Sequence, residues 1–184
     1  MNDILFPEKV YFKNHFTERE LVLVRADCME ISPAASARIT SICNQTTVYH
    51  NLFQERLKSA PYTVSDAVEF LAWASAGWRL GTHFVFFIIH DQFGIVGAID
   101  IKSAELDNAE IGYWADANHP GNVTNAVLAM VNSALETGFV RFTAYVRPEN
   151  LKSSRVLERA GFSPSLGAQE RDGFVCLERR NTSS

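Results

Sequence analysis

The stretch from Glu110 to Ala126 combines a predicted strand, a tight loop and the start of a helix, and it is the clearest place for chemistry in the chain. The first N–H groups of a helix have no partner within the helix and lie at the positive end of its dipole. A helix that begins directly after a loop can therefore bind an anion such as a phosphate group. The same pattern also fits an ordinary surface turn before an ordinary helix.

The elements around this junction predict a crevice. Side chains alternate in character along the strand that ends near Ala115, and the breaker cluster 118–122 separates it from a helix over 123–137. Arg141 to Val146 is the next predicted strand, and the order strand, helix, strand indicates a parallel pair. A parallel pair within a mostly antiparallel sheet can part at its carboxyl ends, where ligands prefer to bind.

The rest of the chain predicts one α/β (α+β) domain over residues 19–180. Residues 1–18 show no clear period and are expected to form a loosely structured N-terminal extension packed on the domain. The predicted sheet is mixed and mostly antiparallel, with six to seven strands and about four flanking helices. The remaining strands are predicted at 21–25, 83–90, 95–101 and 174–179, and the remaining helices at 33–44, within 46–62, at 63–81 and from Asn150 to Gly161. The expected helix caps are Ser32, Thr63 with Asp66, and Asn150.

Composition excludes several classes of function. The formal net charge of −4 and the lack of a basic run argue against nucleic acid as a partner. The longest apolar run, 84–89, is too short to cross a membrane, and the N-terminus does not have the pattern of a secretory signal. Three scattered cysteines and five histidines lack the spacing of a metal site, so no metal is expected and the predicted location is cytoplasmic.

Two segments of the chain carry a family resemblance. The first is Glu110-Ile-Gly-Tyr-Trp followed by a glycine loop and Thr124-x-Ala126. The second and more specific segment is Asn150-x-x-Ser153-x-Arg155-Val-Leu-Glu-x-x-Gly161-Phe162. Together they resemble the GCN5-related N-acetyltransferases (GNAT superfamily), and more narrowly the branch that acetylates the N-termini of ribosomal proteins. The resemblance covers roughly residues 20 to 180.

This resemblance implies transfer of an acetyl group from acetyl-coenzyme A to a primary amine, without a metal. The acceptor would be a protein N-terminus or a small-molecule amine, and the enzyme a monomer or homodimer. The pantetheine arm would lie between the two parted strands, and the amine would attack directly in a ternary complex. Positioning, one general base and one general acid are sufficient for such a reaction.

The resemblance also assigns roles to residues. Ser153 would protonate the departing thiolate and Glu110, through a water molecule, would be the base. Each also has a structural interpretation, Ser153 as a local helix cap and Glu110 as a solvent-facing strand carboxylate. The expected cofactor-binding residues are those of the strand end, the loop, the helix start and the second segment: Trp114, Ala115, Asp116, His119, Gly121, Asn122, Val123, Thr124, Asn150 and Ser153.

The phosphate loop departs from the family pattern. Asp116 and His119 stand where the family has Gln or Arg and then glycine, and only Gly121 matches. Pro120 lacks an N–H group, and Asp116 would place negative charge beside a pyrophosphate. The alternative hypothesis is therefore a catalytically silent GNAT-fold protein that serves as a binding or regulatory module.

Overall fold

The fold is a single mixed sheet with helices packed against it. The structure is a computed structural model that describes residues 4–167 and 171–181. Within those residues the strands are β1 (Lys9–Lys13), β2 (Glu20–Arg25), β3 (Phe84–His90), β4 (Gly94–Ile101), β5 (Ala109–Ala115), β6 (Arg141–Val146), β7 (Ser163–Pro164) and β8 (Val175–Arg180). The helices are α1 (Pro33–Cys43), α2 (Thr46–Leu52), α3 (Val64–Leu80), α4 (Val123–Glu136) and α5 (Leu151–Arg159).

The eight described strands lie in the order β1-β2-β3-β4-β5-β6-β8-β7. All neighbours are antiparallel except β5 and β6, which confirms the predicted parallel pair. The strands β3 and β4 each have a neighbour on both sides, and the side chains of Phe84, Phe86, Phe87 and Ile99 are among the largest that are fully buried. The predicted mixed α/β fold, with a mostly antiparallel sheet, is confirmed.

Local sequence signals explain where the helices begin. The Ser32 hydroxyl accepts a hydrogen bond from the Ala35 N–H at 3.2 Å and caps α1. Thr63 and Asp66 form a reciprocal capping box at the start of α3, and Gly81 ends this helix in a left-handed conformation. No helix in the described residues is long and apolar enough to cross a membrane.

The sheet is larger than the sequence predicts, because β1 and β7 were not expected. The expectation of a loosely structured lead-in is wrong for residues 9–13, which pair along their whole length with β2. An edge strand of five residues shows little side-chain alternation, and its backbone bonds to β2 leave no sequence signal. The strand β7 has only two residues. The helix predicted within 46–62 is α2, and the described α-helices number five, against about four expected to flank the sheet.

Candidate active site

A cavity of about 510 Å³ opens where β5 and β6 part. The two strands are paired only at Ala109 with Phe142 and at Glu110 with Thr143. Beyond that point β5 stays paired with β4, and β6 stays paired with β8, so the two strands diverge. The cavity is lined by the outer half of β5, the end of β6, the loop 116–121, the start of α4, and parts of α2 and α5.

Alternate residues of β5 direct their main-chain groups toward this cavity. The Glu110 carbonyl accepts from the Lys102 N–H, and the Asp116 N–H donates to the Val96 carbonyl, both at 2.8 Å. Because the direction alternates along a strand, the main chain of the even-numbered residues faces β4. The groups of Tyr113 and Ala115 consequently face β6, where no strand pairs with them. Of the expected cofactor-binding residues at the strand end, Trp114, Ala115 and Asp116, only Ala115 presents its main chain to the cavity.

The start of α4 offers unpaired donors at the mouth of the cavity. Among the described residues, none accepts a hydrogen bond from the main-chain N–H groups of residues 121–125. The Asn122 side chain does not cap the helix. Gly121, Val123 and Thr124 line the cavity, so these free N–H groups and the helix dipole favour an anion there.

Asp116 points away from the cavity mouth into a buried network. Its carboxylate accepts hydrogen bonds from the Arg38 guanidinium at 2.5 Å, the Gln45 amide at 2.7 Å and His119 Nδ1 at 2.8 Å. The Asn118 N–H also donates to it, at 2.9 Å. The Asp116 side chain has no exposed surface, whereas that of Arg38 is 29% exposed. The negative charge expected beside the phosphates is therefore held within a cluster of donors.

The network also changes the acidity of Asp116. Burial alone would raise the pKa of this carboxyl, but the hydrogen bonds from Gln45, Asn118 and His119, together with the charge of Arg38, lower the pKa to about 2. Asp116 is thus an anion at neutral pH. The ring of His119 packs against Phe93 at 4.3 Å between centroids, so both unusual loop residues support the shape of the loop.

The N-terminal segment braces the same loop. The Asn14 side-chain amide donates to the Pro120 carbonyl at 2.9 Å and to Asn122 Oδ1 at 2.6 Å, while its oxygen accepts from the Phe16 N–H at 2.8 Å. Gly121 has a φ of 88°, and a Cβ at this position would lie 2.6 Å from Asn14 Oδ1. Glycine is required at position 121 because the φ angle is positive and because Asn14 occupies the space that a Cβ would need.

We expect Asn14→Ala to destabilise the protein, because it leaves the Pro120 carbonyl and the buried Asn122 Oδ1 without their donor. The expected loss in the free energy of unfolding is about 1–3 kcal/mol. Urea denaturation at neutral pH measures it. The matched control is Asn118→Ala, an exposed asparagine of the same loop whose side chain makes no recorded hydrogen bond to a described residue. Equal stability of the two variants would contradict the bracing role.

Ser153 forms a close pair with Tyr113 inside the cavity. The two hydroxyl oxygens are 2.6 Å apart, and the Tyr113 hydroxyl also donates to the Ser153 carbonyl at 3.2 Å. Burial raises the pKa of Tyr113, and the Ser153 hydrogen bond opposes this shift only in part. Tyr113 therefore stays a neutral hydroxyl donor. Sequence reasoning missed it, although its position in the strand motif was a usable signal.

Asn150 is the N-cap of α5, as predicted, and its oxygen accepts the Ser153 N–H at 3.2 Å. This bond fixes the first turn of the helix and with it the position of the Ser153 side chain. Asn150 also lines the cavity. Its expected contact with a pantetheine arm stays a prediction.

Glu110 lies at the closed end of the junction and is bound by two cations. Its carboxylate is 2.5 Å from Lys102 Nζ and 2.8 Å from the Arg171 guanidinium. Burial alone would raise its pKa, but the hydrogen bonds from Arg171 and Lys102 outweigh burial and lower it. A carboxylate with a lowered pKa that is already occupied by two donors is a weak proton acceptor.

Basic side chains to which the sequence assigns no role also line the cavity. They share the region of α5 and the end of β6, and they are Arg147, Lys152, Arg155 and Arg159. Arg147 is also 2.6 Å from Glu55, and its guanidinium lies 5.0 Å from the Phe174 ring centroid. Together with the N-terminus of α4, these four basic side chains make the cavity suitable for a ligand with several negative charges.

Comparison with known proteins gives a consistent result. The family model described as an acetyltransferase (GNAT) domain matches residues 30–163. A Bacillus subtilis protein named Probable N-acetyltransferase YjcK is 41% identical over 85 residues, which cover 44% of this chain and 47% of that protein. The ribosomal-protein-serine acetyltransferase of Escherichia coli is 33% identical over 81 residues, which cover 41% of this chain and 45% of that protein. These two alignments span just under half the length of the curated relatives.

A solved structure also shares the fold. Mycobacterium smegmatis RimJ in complex with CoA-disulfide matches with a TM-score of 0.70 at 21% identity, over 95% of this chain and 88% of that chain. Identity at this level shows a common architecture.

Proposed function

The chain belongs to the GNAT acetyltransferase family, and we propose that it transfers an acetyl group from acetyl-coenzyme A to a primary amine by direct attack in a ternary complex. The observation that carries the proposal is the cavity between β5 and β6, which combines free N–H groups at the start of α4 with the Tyr113–Ser153 pair. The start of α4 can bind phosphates, and the Tyr113–Ser153 pair can protonate a departing thiolate.

The cavity fits the shape and charge of the coenzyme. The N–H groups of residues 121–125 would take the pyrophosphate, and the basic side chains around α5 would contact further phosphate oxygens. The main-chain groups of Tyr113 and Ala115 lack a strand partner, so they can pair with the amides of a pantetheine arm. The coenzyme supplies an activated acetyl thioester.

The Tyr113–Ser153 pair supports the proposed acid role. A thiolate that leaves in the cavity needs a proton, and a serine hydroxyl alone is a weak acid. The Tyr113 hydroxyl can turn its one proton from the Ser153 carbonyl to Ser153 Oγ while Ser153 donates to the sulfur, so the charge on Ser153 never becomes a full alkoxide. We therefore assign Ser153 as the catalytic acid and Tyr113 as its positioning residue.

The silent-module hypothesis depends on the unusual loop. Its strongest argument is the negative charge of Asp116 beside a pyrophosphate, and that carboxylate is held by Arg38, Gln45 and His119. The free N–H groups of the helix start belong to the main chain, and the side chains at 116 and 119 do not occupy them. No observation in the described residues favours the silent module over the enzyme.

We expect acetyl-coenzyme A to bind with a dissociation constant in the micromolar range or tighter, because several charge-assisted contacts each contribute about 1.5–3 kcal/mol. Titration calorimetry measures this directly, and release of the coenzyme thiol with a panel of primary amines measures transfer. Desulfo-coenzyme A is the control for binding without the thioester. Absence of binding at high micromolar concentration would refute the proposal, and binding without transfer to any amine would favour the silent module.

A further inference from the structure

A second cavity, of about 530 Å³, lies between α2, α3 and the strands β3 to β5. It shares five lining residues with the first cavity: Leu52, Lys102, Gly112, Tyr113 and Trp114. Neighbouring side chains of a strand point to opposite faces. The Tyr113 hydroxyl reaches Ser153 on α5, whereas the Trp114 ring lies 6.1 Å from Phe70 on α3. The two cavities therefore approach the same stretch of β5 from opposite faces.

We propose that this second cavity, here called the acceptor pocket, receives the amine as its ammonium ion, and that Asp100 contacts the amine nitrogen and accepts its proton. The acceptor pocket is defined by Glu69, Phe70, Trp73, Asp100, Gly112 and Trp114 among its lining residues. The inference rests on the proposed acetyl transfer and assigns the base to Asp100 instead of Glu110.

The position of Asp100 carries the inference. Asp100 is paired with Gly112 across β4 and β5, in the stretch that both cavities share. A Cβ at Gly112 would lie 2.8 Å from Asp100 Oδ1, so the carboxylate occupies the space that a side chain at position 112 would need. An amine nitrogen held by Asp100 would thus lie against β5, one residue from Tyr113.

Asp100 is also free to accept a ligand. Among the described residues, no other side chain donates a hydrogen bond to its carboxylate. The nearby cation Lys102 is engaged with Glu110 at 2.5 Å. Burial raises the pKa of Asp100, and the charge of Glu110 adds to this shift, while Lys102 and His83 oppose it. Glu110, by contrast, has a lowered pKa and two bound cations.

The remaining walls indicate the class of acceptor. Phe70, Trp73 and Trp114 present aromatic surface, and Glu69 is exposed without a recorded partner among the described residues. The Asp66 carboxylate is used in the capping box of α3. The Arg56 guanidinium lies 5.1 Å from the Phe53 ring centroid. Aromatic faces and carboxylates together favour a primary ammonium next to an apolar or aromatic group.

The proposed proton transfers balance with the reaction. Asp100 takes one proton from the ammonium and returns it to solvent, and the neutral nitrogen then bonds to the acetyl carbonyl carbon. The carbon–sulfur bond breaks, and the sulfur leaves with its electron pair. The nitrogen loses its second proton and the sulfur gains one, so the products are an amide, a free thiol and one released proton.

The test compares Asp100→Asn with Asp107→Asn, which removes an identical charge from an exposed turn before β5. The probes are 2-phenylethylamine, a peptide with N-terminal phenylalanine, and the uncharged 2-phenylethanol. Tryptophan fluorescence reports binding, because Trp73 and Trp114 line the pocket. We expect Asp100→Asn to weaken amine binding about tenfold or more, since a hydrogen bond to a charged group is lost. The affinity for the alcohol should not change in this variant. Asp107→Asn should leave the affinities for the amines and for the alcohol unchanged.

Measurements of turnover and of coenzyme binding distinguish a failure of the Asp100 inference from a failure of the proposed acetyl transfer. Thiol release with the better amine should fall at least about tenfold in Asp100→Asn, while Glu110→Gln retains more activity than that variant. Unchanged amine affinity in Asp100→Asn, or equal affinity for amine and alcohol, would overturn the inference while acetyl-coenzyme A still binds. Failure to bind acetyl-coenzyme A would instead refute the proposed function. The two amine probes distinguish a small-molecule acceptor from a peptide N-terminus.

Discussion

Ser153→Ala is expected to lower kcat by a factor between about 10² and 10⁴, which is the usual contribution of a positioned general acid. The hydroxyl lies 2.6 Å from the Tyr113 oxygen inside the cavity, and the substitution removes the only group of this pair that we assign to the departing sulfur. The affinity for acetyl-coenzyme A should change little, because the phosphates are assigned to the start of α4. Thiol release and calorimetry measure the two quantities separately.

The neighbouring serine gives a matched control. Ser154 is the next residue of α5, and its hydroxyl bonds, within the described part of the chain, only to the Asn150 carbonyl, at 3.5 Å. Ser154→Ala should retain nearly full activity. The kcat of Tyr113→Phe should lie between those of the two serine variants, because this substitution removes the donor to Ser153 and leaves the acid itself. If Ser153→Ala and Ser154→Ala had equal kcat, Ser153 would be a helix residue only.

The sequence was sufficient for the parts of the site that local signals encode. The caps at Ser32, Thr63 and Asn150 and the loop before α4 all follow from short-range preferences, and the structure confirms them. The parallel pair follows from the order of elements. The alternating direction of the β5 main chain also follows, but only once the pairing with β4 is known.

Contacts between residues far apart in the chain could not be predicted from such short-range preferences. Arg38 lies 78 residues from Asp116 in the chain, and Asn14 lies 106 residues from Pro120. Asp116 was interpreted from the charge of its residue type, whereas its effect depends on the partners that the fold brings to it. Glu110 and Asp100 are two strand carboxylates that look alike in sequence, and only the packing around each separates them.

Arg38→Ala is expected to destabilise the protein by about 3 kcal/mol, because it leaves the fully buried Asp116 carboxylate without its cation. The loop 116–121 should lose its shape as well, so the affinity for acetyl-coenzyme A should fall. The matched control is Arg19→Ala. Arg19 pairs with Asp91 at 2.8 Å, but both side chains are well exposed, at 40% and 62%. The free energy of unfolding should therefore change little in Arg19→Ala.

The dependence on pH gives this prediction a second, independent test. The pKa of Asp116 is about 2 in the folded protein, against 3.8 for an unperturbed aspartate, so its ionised form stabilises the fold above about pH 5. This contribution, on the order of 2 kcal/mol, is lost as the pH falls from about 5 to about 2. The difference in unfolding free energy between wild type and Asp116→Asn should therefore be large at pH 7 and shrink towards pH 2. A difference that stays constant over this range, measured by urea denaturation, would show that the Asp116 charge does not stabilise the loop.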